Sequence, residues 1–260
     1  LLTAISSVHS IGTLQGKSYD WDAMGNLTSR IDMIAQREET FSYDSLNRVT
    51  GATVVALSGA TISTVPPPAT YYYDPNGNLL SKPGLSDVEY GGPRPHAVTA
   101  ATVKGVARDY AYDAACYVTA DGRRTYTWTS FGQLSSLDYL SAPALQTFAG
   151  VTVYEASRVL CDFSFDAGGN RARQLKQRIA TDDSRQLEET LYLGSYEREV
   201  HLTKASASAP PDVTKTVHRH SLGGFAVYTK TEGTTGSVVK LSTILKDHLG
   251  STDVILTGTW

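Results

Sequence analysis

The chain has little cysteine: Cys116 and Cys161 are its only two in 260 residues. That is too few for a disulfide scaffold, and it leaves the compartment undecided. There is no excess of basic charge. A formal net charge of −3 gives no electrostatic reason to expect nucleic acid or an anionic membrane as partner. No apolar run approaches the roughly 20 residues of a spanning helix, so no membrane insertion by this segment is expected. The start, Leu1-Leu2-Thr3-Ala4-Ile5, lacks an initiator Met and a basic n-region and does not read as a signal peptide. The end, Thr257-Gly258-Thr259-Trp260, stops in a strand-like stretch. The expectation is a segment of something longer.

What is abundant points one way. The 15 tyrosines and 22 glycines lean towards short strands separated by turns. The clearest instance is Tyr71-Tyr72-Tyr73-Asp74-Pro75-Asn76-Gly77-Asn78-Leu79-Leu80. Adjacent aromatics suit a pleated, half-buried strand. Proline then presets φ, Asp and Asn cap their own backbone, and glycine accepts positive φ. The leucines restart the apolar pattern, so the stretch reads as a β-hairpin.

The hairpin recurs as aromatic, Asp, two variable residues, Gly, Asn, aliphatic. Trp21-Asp22-Ala23-Met24-Gly25-Asn26-Leu27 is one copy and Tyr43-Asp44-Ser45-Leu46-Asn47-Arg48-Val49 another. Tyr112-Asp113 opens a copy in which Cys116-Tyr117 replaces the usual turn pair. Trp128-Thr129-Ser130-Phe131-Gly132-Gln133-Leu134 and Phe165-Asp166-Ala167-Gly168-Gly169-Asn170-Arg171 are weaker versions. The aromatics at 21, 43, 73, 112, 128 and 165 lie 22, 30, 39, 16 and 37 residues apart. Such repetition indicates an array whose units bury their faces against their neighbours.

Between the units, Ala52 to Thr70 reads as a loop whose Pro66-Pro67-Pro68 end is stiff and extended. Gly91-Gly92-Pro93-Arg94-Pro95-His96 is a breaker cluster. Arg171 to Leu191 has a helix-like Leu175/Ile179 spacing, but Thr181-Asp182-Asp183-Ser184 interrupts it. Two strands and a turn are predicted there. Ala205 to Pro211 is linker-like in composition and predicted to be a hairpin tip.

The Tyr-Asp-x-x-Gly-Asn units resemble the YD repeats of rearrangement-hotspot (RHS) proteins. Tyr192-Leu193-Gly194-Ser195-Tyr196-Glu197-Arg198 is similar to a segment late in such arrays, and His218-Arg219-His220 with Gly223-Gly224 follows. Asp247-His248-Leu249-Gly250-Ser251-Thr252 resembles the tract leading into the RHS core. The resemblance covers about Tyr19 to Leu256, nearly the whole chain. It implies an all-β fold: an extended, strongly twisted antiparallel sheet of hairpins, part of a spiral shell around a C-terminal toxin domain. It also implies a secreted or cell-surface parent exported from bacteria, with neighbouring repeats and the enclosed toxin as partners. Residues 1–18 are then a lead-in and 19–260 a single repeat domain without the toxin. The self-cleaving core of many bacterial members would follow this segment. Asp74-Pro75-Asn76-Gly77 only superficially resembles that core's Asp-Pro-Gly pattern, and no protease role is carried onto it.

No catalytic, cofactor-binding or metal residue is assigned, and the segment is expected not to be an enzyme. The near misses are specific. Gly12-Thr13-Leu14-Gln15-Gly16-Lys17-Ser18 nearly spells a phosphate loop, but it has three residues between its glycines where four are needed and no helix is expected after it. A turn before a strand is the preferred reading. Asp74, Asn76 and Asn78 alternate like the start of a calcium loop, but the glycine falls two places early and Leu85 stands where a bidentate Glu is required. His218 and His220 share a face if they lie on a strand, and with His248 they form the metal-hydrolase alternative. Asp247-His248 and Ser251 supply triad residue types without a Gly-x-Ser-x-Gly elbow. Asn26-Leu27-Thr28 is a glycosylation sequon, read as incidental in a bacterial protein. The alternative from another class is a carbohydrate-binding or adhesion module built on the repeat aromatics. Packing predicts instead that Trp21, Tyr43, Tyr73 and Phe165 are mostly buried.

Overall fold

The computed structural model of the chain describes residues 1–9, 12–60, 64–91, 94–141, 144–148, 151–155, 157–247 and 250–259. It is all-β and antiparallel, with 64 % of residues in strands and no helix among the described residues. By packing, the chain divides into two units: Leu1–Arg108 with Leu245–Val254, and Asp109–Ile244 with Ile255–Trp260.

The first unit begins with a six-stranded meander in chain order. Its strands are β1 (Ala4–His9), β2 (Gly12–Trp21), β3 (Leu27–Asp32), β4 (Arg37–Tyr43), β5 (Val49–Ala56) and β6 (Ala69–Thr70). A short pair follows, β7 (Tyr72–Tyr73) and β8 (Leu79–Ser81), and then a three-stranded sheet of β9 (Leu85–Tyr90), β10 (Val98–Val103) and β11 (Val106–Asp109). Two details differ from the sequence reading. The Gly12–Ser18 stretch is strand, not turn, because Gly16 and Lys17 pair directly with Ser6 and Ile5 of β1. The start of the expected Ala52–Thr70 loop is also strand, since Thr53 to Ala56 continue β5 against β4.

The largest sheet has twelve strands. It starts with β12 (Ala111–Tyr112), β13 (Val118–Ala120), β14 (Arg124–Trp128) and β15 (Leu134–Leu140). A separate hairpin, β16 (Ala144–Phe148) and β17 (Val151–Glu155), is inserted before the sheet resumes. It resumes with β18 (Arg158–Phe165), β19 (Arg171–Ile179), β20 (Arg185–Leu193), β21 (Tyr196–Lys204), β22 (Asp212–Leu222), β23 (Ala226–Gly233), β24 (Gly236–Lys246) and β25 (Thr252–Thr259). The 171–191 stretch is therefore two strands and a turn, and 205–211 joins the paired strands β21 and β22 as a hairpin tip.

Most strand residues are half-buried rather than sealed. Tyr19 (2 % exposed), Val88 and Ala101 are buried in the first unit, and Val159 (1 %), Cys161, Ala180, Val217 and Ala226 in the second. Stability here comes from ladders, turns and cross-strand pairs more than from one hydrophobic centre.

Candidate functional site

The site that the sequence repeats is a turn, and its geometry is the same in every copy. With the aspartate as position 1, its N–H donates to the carbonyl of position 5, and the N–H of position 4 donates back to the position 1 carbonyl. Asp22/Asn26 and Gly25/Asp22 do this at 2.9 and 3.1 Å, and Asp74/Asn78 and Gly77/Asp74 at 2.9 and 3.0 Å. This is the three-residue hairpin loop, a type I turn closed by a residue in the left-handed region. Position 4 therefore has φ of 86° at Gly25, 60° at Asn47, 88° at Gly77, 75° at Cys116, 76° at Gly132 and 80° at Gly169. Glycine costs nothing there, Asn little, and Cys116 carries strain.

The aspartate holds the turn from inside. Asp22 Oδ1 accepts the N–H of Met24 and Asn26 at 2.9 and 2.8 Å, while Asn26 Nδ2 donates to Oδ2 at 2.9 Å. Asp44 accepts from Leu46, Arg48 and the Arg48 guanidinium, and Asp166 from Gly168 and Asn170. These bonds favour the ionised form. The Asn26 side chain and backbone lower the pKa of Asp22, and the Arg48 N–H lowers that of Asp44. At Asp74 desolvation pushes upward, but the Asn78 backbone and side chain outweigh it and the net direction is down.

A second irregularity recurs that no sequence pattern announced. In each copy the aromatic pairs with the first residue after the turn (aliphatic in five, Arg171 in the sixth), and the residue beyond it is left out of the pairing. Trp21 faces Leu27 but Asp20 faces Ser29, omitting Thr28; Tyr43 faces Val49 but Ser42 faces Gly51, omitting Thr50. Leu80, Thr119, Ser135 and Ala172 are omitted in the same place. A β-bulge at this point bends the strand and increases its twist.

At Tyr43, Tyr73 and Trp128 the aromatic's polar tip ties its unit to the one before. Tyr43 Oη donates to the Leu27 carbonyl at 2.8 Å, and Tyr73 Oη to the Val49 carbonyl at 2.9 Å. Trp128 Nε1 donates to the Val118 carbonyl at 2.7 Å. In each case the acceptor is the aliphatic residue that follows the preceding turn. Tyr90, which stands in no recognisable unit, does the same to Leu79 at 2.9 Å. Trp21, Tyr43, Tyr73 and Phe165 are each mostly enclosed, as packing predicted, with part of their surface left to solvent.

Position 5 supplies a third link, sideways from turn to turn. Asn26 Nδ2 donates to Asn47 Oδ1 at 2.9 Å. The Arg48 guanidinium lies 4.6 Å from the Tyr73 ring centre. Asn78 Nδ2 donates to the Pro95 carbonyl at 2.9 Å. In the second unit, Tyr117 stacks on Trp128 with centroids 4.9 Å apart, and Gln133 Nε2 donates to the Gly169 carbonyl at 2.8 Å.

Two further turns have the same geometry without reading as copies of the unit. Asp247 bonds Ser251 and Gly250 as the other aspartates bond their partners, with Gly250 at φ 80° and Ser251 N–H donating to Asp247 Oδ1 at 2.9 Å. The Asp-x-x-Gly spacing was visible, but Lys246 in the aromatic's place hid it. Ala180 to Ser184 has the same backbone bonds, with Asp183 at φ 68°. A turn was predicted there from Thr181-Asp182-Asp183-Ser184, but not its likeness to the repeat, since alanine replaces the capping aspartate.

These contacts also decide the near misses. Lys17 of the phosphate-loop-like stretch pairs with Asp253 and lies 3.7 Å from Asp32, and Gln15 Nε2 donates to Asp253 Oδ2 at 2.7 Å. Two carboxylates beside that lysine repel phosphate. The Asp74 carboxylate of the calcium-like run faces N–H groups of Asn78, while Asn78 Oδ1 meets His96 Nδ1 at 2.7 Å. Asp247 and Ser251 serve a turn. His218 and His220 do share one face of β22: His218 Nδ1 is 2.6 Å from Tyr196 Oη, and the His220 ring is 4.6 Å from that of Tyr196. His248 lies outside the described residues. Among the described residues no three His, Cys, Asp or Glu side chains converge as a metal site. Cys116 is exposed and Cys161 buried, both free thiols. The Asn26 amide of the sequon is engaged by Asp22 and Asn47.

No family model matches the chain, and no curated protein is significantly similar to it.

Proposed function

We propose that this chain is a structural segment of an RHS-repeat wall, whose parent protein encloses and shields a C-terminal toxin and is exported from bacteria. The observation that carries the reading is the threefold linkage of consecutive hairpins: the bulge, the aromatic tip on the preceding unit's carbonyl, and the position 5 contact. A free-standing enzyme or lectin does not need the same lateral joint at successive hairpins; a wall extended by repetition does. In this reading the segment contributes no chemistry, and its partners are further repeats and the enclosed passenger. The test is to express the natural reading frame that contains this chain and digest it with protease. A wall predicts additional units, and a C-terminal domain that resists cleavage until the repeats are unfolded. A frame with neither further units nor a passenger overturns the proposal.

A second reading, a carbohydrate-binding module, draws on one observation away from the repeat aromatics. Tyr196, His220 and Tyr228 pair in register across β21, β22 and β23, and His220 and Tyr228 are exposed. Saturable binding on a glycan array, lost in Tyr228→Ala, would favour it.

A further inference from the structure

The second unit holds a cavity of about 240 Å³ on the face of the twelve-stranded sheet. Lys176 and Arg178 of β19, Gln186 and Glu188 of β20, and His201 and Thr203 of β21 line it. Register explains the grouping. Lys176, Glu188 and His201 stand opposite one another in one cross-strand row, and Arg178, Gln186 and Thr203 in the next. The rows end on β22 at Lys215 and Asp212, where a register shift between His201 and Leu202 interrupts the pairing.

The charges do not cancel. Lys176 Nζ lies 3.8 Å from Glu188, and His201 is paired with Glu199, which is also held by Arg219 at 2.8 Å. At the row ends stand one cation, Lys215 opposite His201, and one anion, Asp212 opposite Thr203. On β18 the residues opposite Arg178 and Lys176 are Val159 and Cys161, neither of them a carboxylate. Arg178 is half-buried and has no ion-pair partner among the described residues. A guanidinium in that position presents a planar fork of donors with no carboxylate opposite it among the described residues.

We propose that this cavity binds one carboxylate side chain of an acidic, extended peptide segment, with the Arg178 fork as principal donor and Lys176 Nζ and the Thr203 hydroxyl beside it. The fork matches the two oxygens of a carboxylate. The volume lies below the roughly 300–1,000 Å³ of cofactor and drug-sized sites, and suits one side chain. A single negative charge neutralises the uncompensated cation, whereas a phosphate dianion would overshoot and face Glu188. The site rests on the second unit's own residues and stands whether or not the wall reading does.

The test is an NMR titration of the 260-residue chain with the blocked tripeptide Gly-Glu-Gly, the matched Gly-Gln-Gly peptide, and inorganic phosphate. The Glu peptide should shift the amides around Arg178 and Thr203 saturably, and the Gln peptide should not. Arg178→Gln should weaken the Glu peptide about tenfold or more, the range for a hydrogen bond to a charged group. Arg178→Lys should retain part of the affinity. Equal response to both peptides, tighter binding of phosphate, or unchanged affinity in Arg178→Gln overturns the proposal. If Arg178→Gln fails to fold, Arg178→Lys and a salt series decide: affinity must fall in that variant and between about 50 and about 300 mM NaCl. A flat response to both overturns the site.

Discussion

At the scale of single residues, the turn makes two demands that can be measured separately. Position 4 requires positive φ, and Cys116 meets it at 75° without being glycine. Relief of strain of about 1–2 kcal/mol, less about 0.4–1 kcal/mol for the freer unfolded chain, leaves a net gain. Cys116→Gly should therefore stabilise the chain by about 0.5–1 kcal/mol in urea unfolding, and removing an exposed thiol should not disturb the turn. Position 1, where it is aspartate, is held in its ionised form by the turn. Asp22, Asp44, Asp74 and Asp166 all have pKa values lowered in the folded chain. A lowered folded pKa contributes stability above the unfolded value near 3.9, and that contribution is lost as pH falls through the folded value. Thermal stability should fall steeply below about pH 4. In Asp22→Asn/Asp74→Asn, which has fewer groups to protonate, the acid slope should be shallower. A double variant with the parent's slope would refute the capping role.

At the scale of elements, the hairpins were legible because their turns are written in residue types. Asp, Gly and Asn at fixed spacing announce a loop whatever surrounds it. The strands were less legible. The phosphate-loop-like stretch looked like a turn because its glycines suit one, yet pairing with β1 makes it strand; a distant partner overrode a local preference. Asp253, more than 230 residues from Gln15 and Lys17 in sequence, could not be placed beside them by any local pattern. The cation cavity was invisible for the same reason, since Lys176, Glu188 and His201 meet only through register. The aromatic tips joining one hairpin to the preceding one are also non-local, and they carry a prediction. Tyr43→Phe keeps the ring and removes the bond to the Leu27 carbonyl. It should cost about 0.5–1.5 kcal/mol, the net worth of one such bond. Phe165→Tyr is the converse, and no loss in Tyr43→Phe by urea unfolding would detach the tip from the linkage.

At the scale of the whole molecule, β25 stands last in the order of the twelve-stranded sheet, and Ile255 on it is 58 % exposed. A long, β-branched, apolar edge is a template for pairing with another chain. The protein should self-associate with rising concentration in sedimentation velocity, and Ile255→Lys should suppress this without lowering the unfolding midpoint. The bulge beside each aromatic bears on how such a chain can change length. A residue left out of the ladder shifts the outgoing strand by one, so the odd and even positions exchange faces. Beyond Thr28, it is Arg30 and Asp32 that share a face with Tyr19 and Trp21, because Tyr19 pairs with Arg30 and Lys17 with Asp32. The extra residue is therefore where a unit can give way. Loss of Thr28 alone would let Ser29 follow Leu27 directly and still face Asp20, so β3 would keep its partners and faces and lose only the bend and twist of the bulge. Loss or duplication of an entire unit, bulge included, alters nothing but the count. A gene for such a chain can drift by whole hairpins, and a codon lost at a bulge straightens one strand without turning it over.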